Sequence, residues 1–421
     1  MTNSQKKPSL DLAEHFFRNE YGRMVAVITK YLGAENVETA EDIVQETLLK
    51  AVENWQHHGL PENPQAWLYK TARNLSLNIL KRKKLELNYK SKKLGVTSLE
   101  IEPFEFSEEQ ISDEQLKMMF ACCHPSISSN SQITLILKIL CGFSIAEISN
   151  AFFTSKETIN KRLVRGRKEL RVSKIDFSIH LNQKQNLPVV LKTIFLLFNE
   201  GYYPSHKNEI IRFDLCIEAI RLCEILESHS TLNESSDCKS LLALMYLNAS
   251  RFDARINEAN SNVDLQSQDR GKWNQDLINK GILKLKEATS ESQVSVYLIL
   301  ATISAQHCIS SNYKNTDWME ILSLYDSLIK MEDTAIVRLN RSIAIYKVKG
   351  VKAAIGELQK LEKKSEIGQN QLFHSTLAEF CKLDNQRILA KEHYNKALGI
   401  CKNPRDQQWL ENKIKELVPI I

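Results

Sequence analysis

The chain is poor in the residues that break helices. Thirteen Gly and nine Pro are few for 421 residues. With abundant Leu, Ile, Lys, Glu and Ala, that scarcity favours helices over sheets. No apolar run approaches the roughly 18 residues needed to span a bilayer. The opening Met-Thr-Asn-Ser-Gln-Lys-Lys-Pro lacks the apolar core of a signal peptide. The nine Cys include no C-x-x-C pair. Cys141, Cys216, Cys223 and Cys381 fall in apolar helical patterns, where Cys acts as a small buried hydrophobe. A reducing, cytoplasmic location is the economical expectation. Also missing are G-x-S-x-G, G-x-G-x-x-G and the phosphate-binding P-loop. No catalytic residue, cofactor or metal is therefore expected.

What is present is ordinary in amount and unusual in distribution. The hydrophobic fraction is 43% and the charged fraction 25%, as in a soluble globular protein. The length predicts about two to four domains. The net charge is +5, but its placement matters more. Trp67 to Lys84 holds six basic residues (Lys70, Arg73, Lys81, Arg82, Lys83, Lys84) and no acidic one. Lys156 to Arg171 holds seven basic residues against Glu157 and Glu169. Between them, Leu94 to Leu116 carries seven acidic residues and no Lys or Arg. Two basic blocks joined by an acidic tether point to two contacts with a polyanion.

Periodicity predicts an all-α chain. A first helical unit covers 10–85, with a helix from Thr39 to Val52 capped by Thr39. Ile43, Thr47 and Leu48 form one face of it, and Glu41, Asp42, Gln45 and Glu46 the other. Gly59, Pro61 and Pro64 mark a loop, with Pro64 in the first turn of the next helix. Residues 86–110 read as a flexible acidic linker. Residues 111–173 are helical again. Ile133 to Leu140 ends at Cys141-Gly142, Ser144 caps Ile145 to Phe153, and a basic helix follows from Lys156. From 180 to 421 the chain is helical throughout. Ala378, Ala390, Tyr394, Ala397 and Leu398, with Pro404 beyond, occupy positions of a tetratricopeptide-type helix pair. Ser342 and Ala354 fall 36 residues earlier, close to a repeat of about 34.

The short helix, tight turn and basic second helix have helix-turn-helix geometry, which lays the second helix in the major groove. Ile145, Ile148, Phe152, Ile159 and Leu163 supply an apolar seam. Ser155, Lys156, Thr158, Lys161, Arg162, Arg165 and Arg167 are left to face outward toward phosphates and base edges. The competing reading is a solvated amphipathic helix pair, which leaves the turn and the seam unexplained.

At these residues the chain resembles the extracytoplasmic-function type of bacterial RNA polymerase sigma factor. QITLILKILCGFSIAEISNAFFTSKETINKRLVRGRKELR, from Gln132 to Arg171, is similar to region 4, which reads the −35 element. TAEDIVQETLLKAVENW, Thr39 to Trp55, resembles the region 2 helix that binds the β′ clamp helices of core polymerase. PQAWLYKTARNLSLNILKRKK, Pro64 to Lys84, resembles the following helix, which holds the melted −10 element. The resemblance implies that Asp42, Gln45 and Glu46 dock on core polymerase, and that region 4 meets the β flap. It implies that Trp55 and Trp67 flank the pocket of a flipped −10 base, although a Trp here is more often core. Arg73, Asn74, Asn78, Lys81 and Arg82 would hold single-stranded promoter DNA by phosphate contacts and base stacking. Lys83 and Lys84 would be a solvated helix end. No region 3 is apparent, as in the minimal type.

Two further motifs match a subgroup of these factors with a long C-terminal extension. In DEQLKMMFACCHPSI the neighbours Cys122, Cys123 and His124 lack ligand spacing and read as packing, not a metal site. IFLLFNEGYYPS contributes Phe198, Asn199, Glu200, Gly201 and Tyr202, read as a helix end with Gly201 as its left-handed terminator, or as a contact surface. TDWMEILSLYDSL and VRLNRSIAIYKVKG extend the resemblance toward the C-terminus. The expected function is an alternative sigma factor that binds core RNA polymerase and promoter DNA. Its helical extension (tetratricopeptide-like, 180–421) would regulate it in cis, through a concave face suited to a regulatory protein. The alternatives are a helix-turn-helix regulator with a helical sensor domain, and an interaction scaffold with residual DNA affinity.

Overall fold

A computed structural model describes residues 10–417 apart from 92–105, 153, 173–182, 205–209, 230, 231, 233, 258–261, 291–293, 365 and 402–403. The fold is all-α. Among the described residues the only extended pairing is an isolated bridge between Ile256 and Asn262. The chain divides into two compact units, residues 1–197 with 217–226, and residues 198–216 with 227–421.

The first unit is built on α1 (Leu10–Leu32) and α2 (Val37–His58), joined through a 3₁₀ turn at Ala34–Asn36. It continues through α3 (Pro64–Ser91), α4 (Glu108–Cys122), α5 (Ser129–Ile139), α6 (Ile145–Ala151) and α7 (Lys156–Val172). Parts of α8 (Gln183–Tyr202) and α9 (Phe213–Ser228) also belong to it. Helix α1 packs on α2, α3, α4 and α5, and buries Met24, Val25, Val27 and Ile28. Full burial of this stripe is what holds so long a helix in place.

The local signals explain most of the boundaries. Pro64 opens α3, with the Asn63 side chain accepting from the Ala66 amide at 2.9 Å. Gly142 stands at φ 67° just after α5, the left-handed turn that glycine permits. Ser144 Oγ accepts from the Glu147 amide at 3.2 Å while the Glu147 carboxylate accepts from the Ser144 amide at 2.7 Å. That reciprocal capping box starts α6. Ser155 caps α7 in the same manner, accepting from the Thr158 amide at 3.1 Å.

Three boundaries differ from expectation. Helix α2 begins at Val37, ahead of Thr39, and its entry is set by the 3₁₀ turn with no side-chain cap. Helix α3 continues to Ser91, past the basic run, so the expected linker start at 86 is helical. Residues 92–105 of that linker lie outside the described residues, and Ser107 then caps α4.

The second unit contains α10 (Ser236–Ala249), α11 (Gln275–Thr289) and α12 (Val296–Ile309), with α10 packed on both others. Six further helices follow: α13 (Trp318–Met331), α14 (Ala335–Lys349), α15 (Val351–Lys364), α16 (Gln371–Leu383), α17 (Arg387–Ile400) and α18 (Pro404–Glu416). Each of α13 to α17 packs on the next helix in chain order. Ala378, Ala390, Tyr394 and Ala397 are fully buried between α16 and α17, as are Ser342 and Ala354 on α14 and α15. The small residues let the helices approach around the Tyr394 ring.

Candidate polymerase and nucleic-acid interface

Helix α2 separates its residues sharply. Val37, Ala40, Glu41, Val44, Thr47 and Ala51 are buried, at helical spacing. Asp42, Gln45 and Glu46 are exposed on the other side. The carboxylates of Asp42 and Glu46 can face a basic partner surface, with Glu46 paired to the half-buried Lys50 at 2.7 Å. Glu41 does not share that face, contrary to the sequence reading. Its side chain is buried, because Val37, four residues before it, and Val44, three after it, lie on the same helix face and are buried.

A buried polar network forms around it. The Tyr21 hydroxyl donates to Glu41 Oε1 at 3.2 Å, and Arg167 Nη2 of α7 donates to Oε2. Arg167 Nη1 also lies 3.6 Å from Glu38, and Arg171 lies 3.9 Å from the same carboxylate. Burial raises the Glu41 carboxyl above its usual range, while the neighbouring Arg167 and Lys138 oppose that shift. Arg167 therefore does not face outward with the other residues of α7; it ties α7 to α2.

The rest of α7 divides as expected. Ile159, Leu163, Gly166 and Leu170 are buried. Lys156, Lys161, Arg165 and Lys168 are exposed. At 100° per residue, Lys161, Arg165 and Lys168 fall within about 60° of one another, a basic stripe that can follow a phosphate backbone. Arg162 is half-buried, and Lys161 meets only the exposed Glu157 at 2.7 Å. Ser155 and Thr158 spend their hydroxyls on capping the helix, 2.9 Å apart. Their outward donors are thus partly used, which sequence spacing alone had not separated from base contact.

On α3, Arg73, Asn74, Asn78, Lys81 and Arg82 are all exposed. They fall within half of the helix circumference. Side chains from Lys83 onward lie outside the described residues. Trp67 is half-buried and meets Trp55 edge-on at 5.7 Å, and Trp55 stacks on Phe17 at 5.5 Å. The two tryptophans form an aromatic cluster between α1, α2 and α3. On the buried side of α3, the Tyr69 hydroxyl donates to Glu20 at 2.5 Å and accepts from Arg23 at 3.0 Å, fixing α3 on α1.

The remaining motifs are structural in placement. Cys122 and Cys123 are fully buried, and burial pushes the Cys123 thiol up to about 12. A thiol that resists ionisation is a poor metal ligand. Gly201 lies inside α8 with an ordinary helical φ, correcting the expected left-handed terminator. A Cβ there would sit 2.7 Å from Cys216 Sγ and 2.9 Å from the Arg212 carbonyl oxygen. Glycine is needed for close approach at the start of α9. Phe198 and Tyr202 stack at 5.7 Å and are buried, while Asn199 and Glu200 are half-buried. In the second unit, His374 Nδ1 and His393 Nδ1 lie 3.0 Å apart, with the Glu362 carboxylate within 4.8 Å. His374 Nε2 meets the Gly368 carbonyl at 2.9 Å, which leaves Nδ1 free to accept from His393. A hydrogen-bonded pair accounts for this trio.

Comparison with known proteins locates these features. Residues 16–86 match the Sigma-70 region 2 family, and residues 186–289 match a family of unknown function (DUF6596). The chain is 27% identical over 388 residues to uncharacterized protein R00370 of Rhizobium meliloti (strain 1021), covering 91% of this chain and 90% of that one. The likeness to region 2 covers α1, α2 and most of α3, and supports a sigma factor that acts in transcription initiation. Among the described residues no helix is long and apolar enough to cross a membrane.

Proposed function

We propose that the chain is an alternative sigma factor of the extracytoplasmic-function type. It binds core RNA polymerase through Asp42, Gln45 and Glu46. It holds the −10 strand along α3 and meets the −35 element with α7, and its C-terminal helices regulate it in cis. The observation that carries this reading is the Sigma-70 region 2 match over residues 16–86, combined with the exposed acidic face of α2 and the exposed polar face of α3.

The test is binding to purified core polymerase by the full chain. The wild type forms a stable complex, and the D42A/Q45A double substitution weakens it at least tenfold while helicity is unchanged. Equal binding by both proteins, or no binding by either, contradicts the proposal.

A further inference from the structure

Among the described residues, the second unit gathers three guanidinium groups with no carboxylate to neutralise them. Arg251 and Arg255 are only 8% and 4% exposed. The Arg255 guanidinium lies 3.9 Å over the Tyr202 ring, and its Nη1 donates to the Tyr202 carbonyl at 2.7 Å. Arg251 lies 5.9 Å from the same ring and 5.8 Å from the Trp273 ring. Arg270 lies 4.5 Å over Trp273, and its Nη1 donates to the carbonyls of His307 and Ser310. Every one of these partners is neutral. Among the described residues, no acidic group pairs with Arg251, Arg255 or Arg270. A buried charge without a counter-charge is costly, and like charges sharing aromatic neighbours repel. Aromatic faces and carbonyls return only part of that cost.

A second observation is independent of charge. Arg251 Nε, Arg270 Nη2, Trp273 Nε1 and His307 Nδ1 are all buried without a hydrogen-bond partner. Most buried polar atoms are satisfied, so several orphans around one charge cluster call for an explanation. Three of the four belong to groups that can only donate. The missing partner is an acceptor with several lone pairs. Burial, followed by the fields of Arg251 and Arg270, pushes the His307 imidazole down to about 3, as a strongly positive surrounding would.

We infer that this cluster binds a small oxyanion, a carboxylate or phosphate group of a small molecule, received by Arg251, Arg270 and Trp273 in the stretch between α10 and α11. The ligand is small because Arg251, Trp273 and His307 are over nine-tenths buried, out of reach of a macromolecular surface. Tyr203, which is 67% exposed and 4.6 Å from the Arg255 guanidinium, lies at the solvent edge of the cluster. The Tyr202 ring belongs to the FNEGY segment, so that segment acquires a role as a wall of a ligand site. None of this depends on the sigma-factor reading.

The test uses the full chain, titrated with inorganic phosphate, sulfate, acetate and citrate against sodium chloride at matched ionic strength. Thermal unfolding and calorimetry are the readouts. The inference expects saturable binding and a rise in Tm for at least one oxyanion beyond chloride. Preference for phosphate and sulfate assigns a phosphorylated ligand; preference for acetate or citrate assigns a carboxylate. W273F removes the indole donor and keeps the ring, and R270Q removes the charge. Each weakens binding about tenfold, read as the oxyanion-induced rise in Tm over the same variant in chloride. If no oxyanion stabilises the chain more than chloride does, or if W273F and R270Q both bind as the wild type does, the inference is overturned.

Discussion

Arg167 of α7 and Glu41 of α2 form a buried ion pair across 126 residues of sequence. The Tyr21 hydroxyl completes it from α1. This joins the helix expected to read one promoter element to the helix expected to grip polymerase.

The two halves of that pair have unequal value. R167A leaves a buried carboxylate with one hydroxyl partner, and should destabilise the first unit by about 3–5 kcal/mol. E41Q keeps one acceptor for Arg167, turns its NH2 toward the Tyr21 hydroxyl, which can rotate to accept, and removes a charge whose burial already raises its pKa. It should cost no more than about 1.5 kcal/mol, the range of an ordinary hydrogen bond. Urea unfolding of the two variants checks the order; a larger loss in E41Q contradicts the account of the network.

The stripe on α7 predicts a salt signature. Duplex DNA affinity should fall with rising salt, and K161A and R165A should each reduce the slope of log K against log salt by about 1. R162A, at a half-buried position, should reduce it less. Filter binding over a salt series gives the slopes, and unchanged slopes would remove α7 from the DNA surface.

Gly201 should tolerate no side chain. G201A places a methyl group 2.7 Å from Cys216 Sγ and 2.9 Å from the Cys216 amide nitrogen, an overpacking cost of about 1–3 kcal/mol. Thermal unfolding should show a lower Tm. A neutral or stabilising G201A would contradict the close approach of α8 and α9 at Gly201.

His307 sets a pH dependence. Its folded pKa, about 3, is depressed from an ordinary value of 6.5. Between these values the unfolded chain binds the proton and the folded chain does not. Stability from this group is therefore complete above about pH 6.5 and is lost as pH falls toward 3, at up to about 1.4 kcal/mol per unit. The groups facing it are Arg251, Arg270 and the Trp318 edge at 5.4 Å. H307Q should flatten the acid limb of a stability–pH curve relative to the wild type; an identical limb would show that His307 is not buried neutral.

How much of this could be read from the sequence depends on whether its cause is local. The cap at Ser144, the first-turn Pro64 and the turn at Gly142 are local, and each appears where spacing predicts it, whereas Ser155, expected to face DNA, caps α7. The exposed triad Asp42, Gln45 and Glu46 follows from helix periodicity. Glu41 is charged like that triad, but its four-residue spacing from Val37 and three-residue spacing from Val44 carry the contrary signal. Gly201 was read from its position near a helix end, although its cause is a crossing with a segment 11–15 residues away. The arginine cluster has no local signature at all. Arg251, Arg255 and Arg270 are scattered through an irregular stretch between helices, and only tertiary packing brings them together.

The central claim is most directly tested by transcription in vitro. Core RNA polymerase supplied with the full chain should start RNA synthesis at a defined site on a promoter template, at least tenfold above core alone. D42A/Q45A should abolish that initiation while DNA binding by α7 persists. A chain that binds duplex DNA tightly yet never confers site-specific initiation on core polymerase would contradict the sigma-factor account.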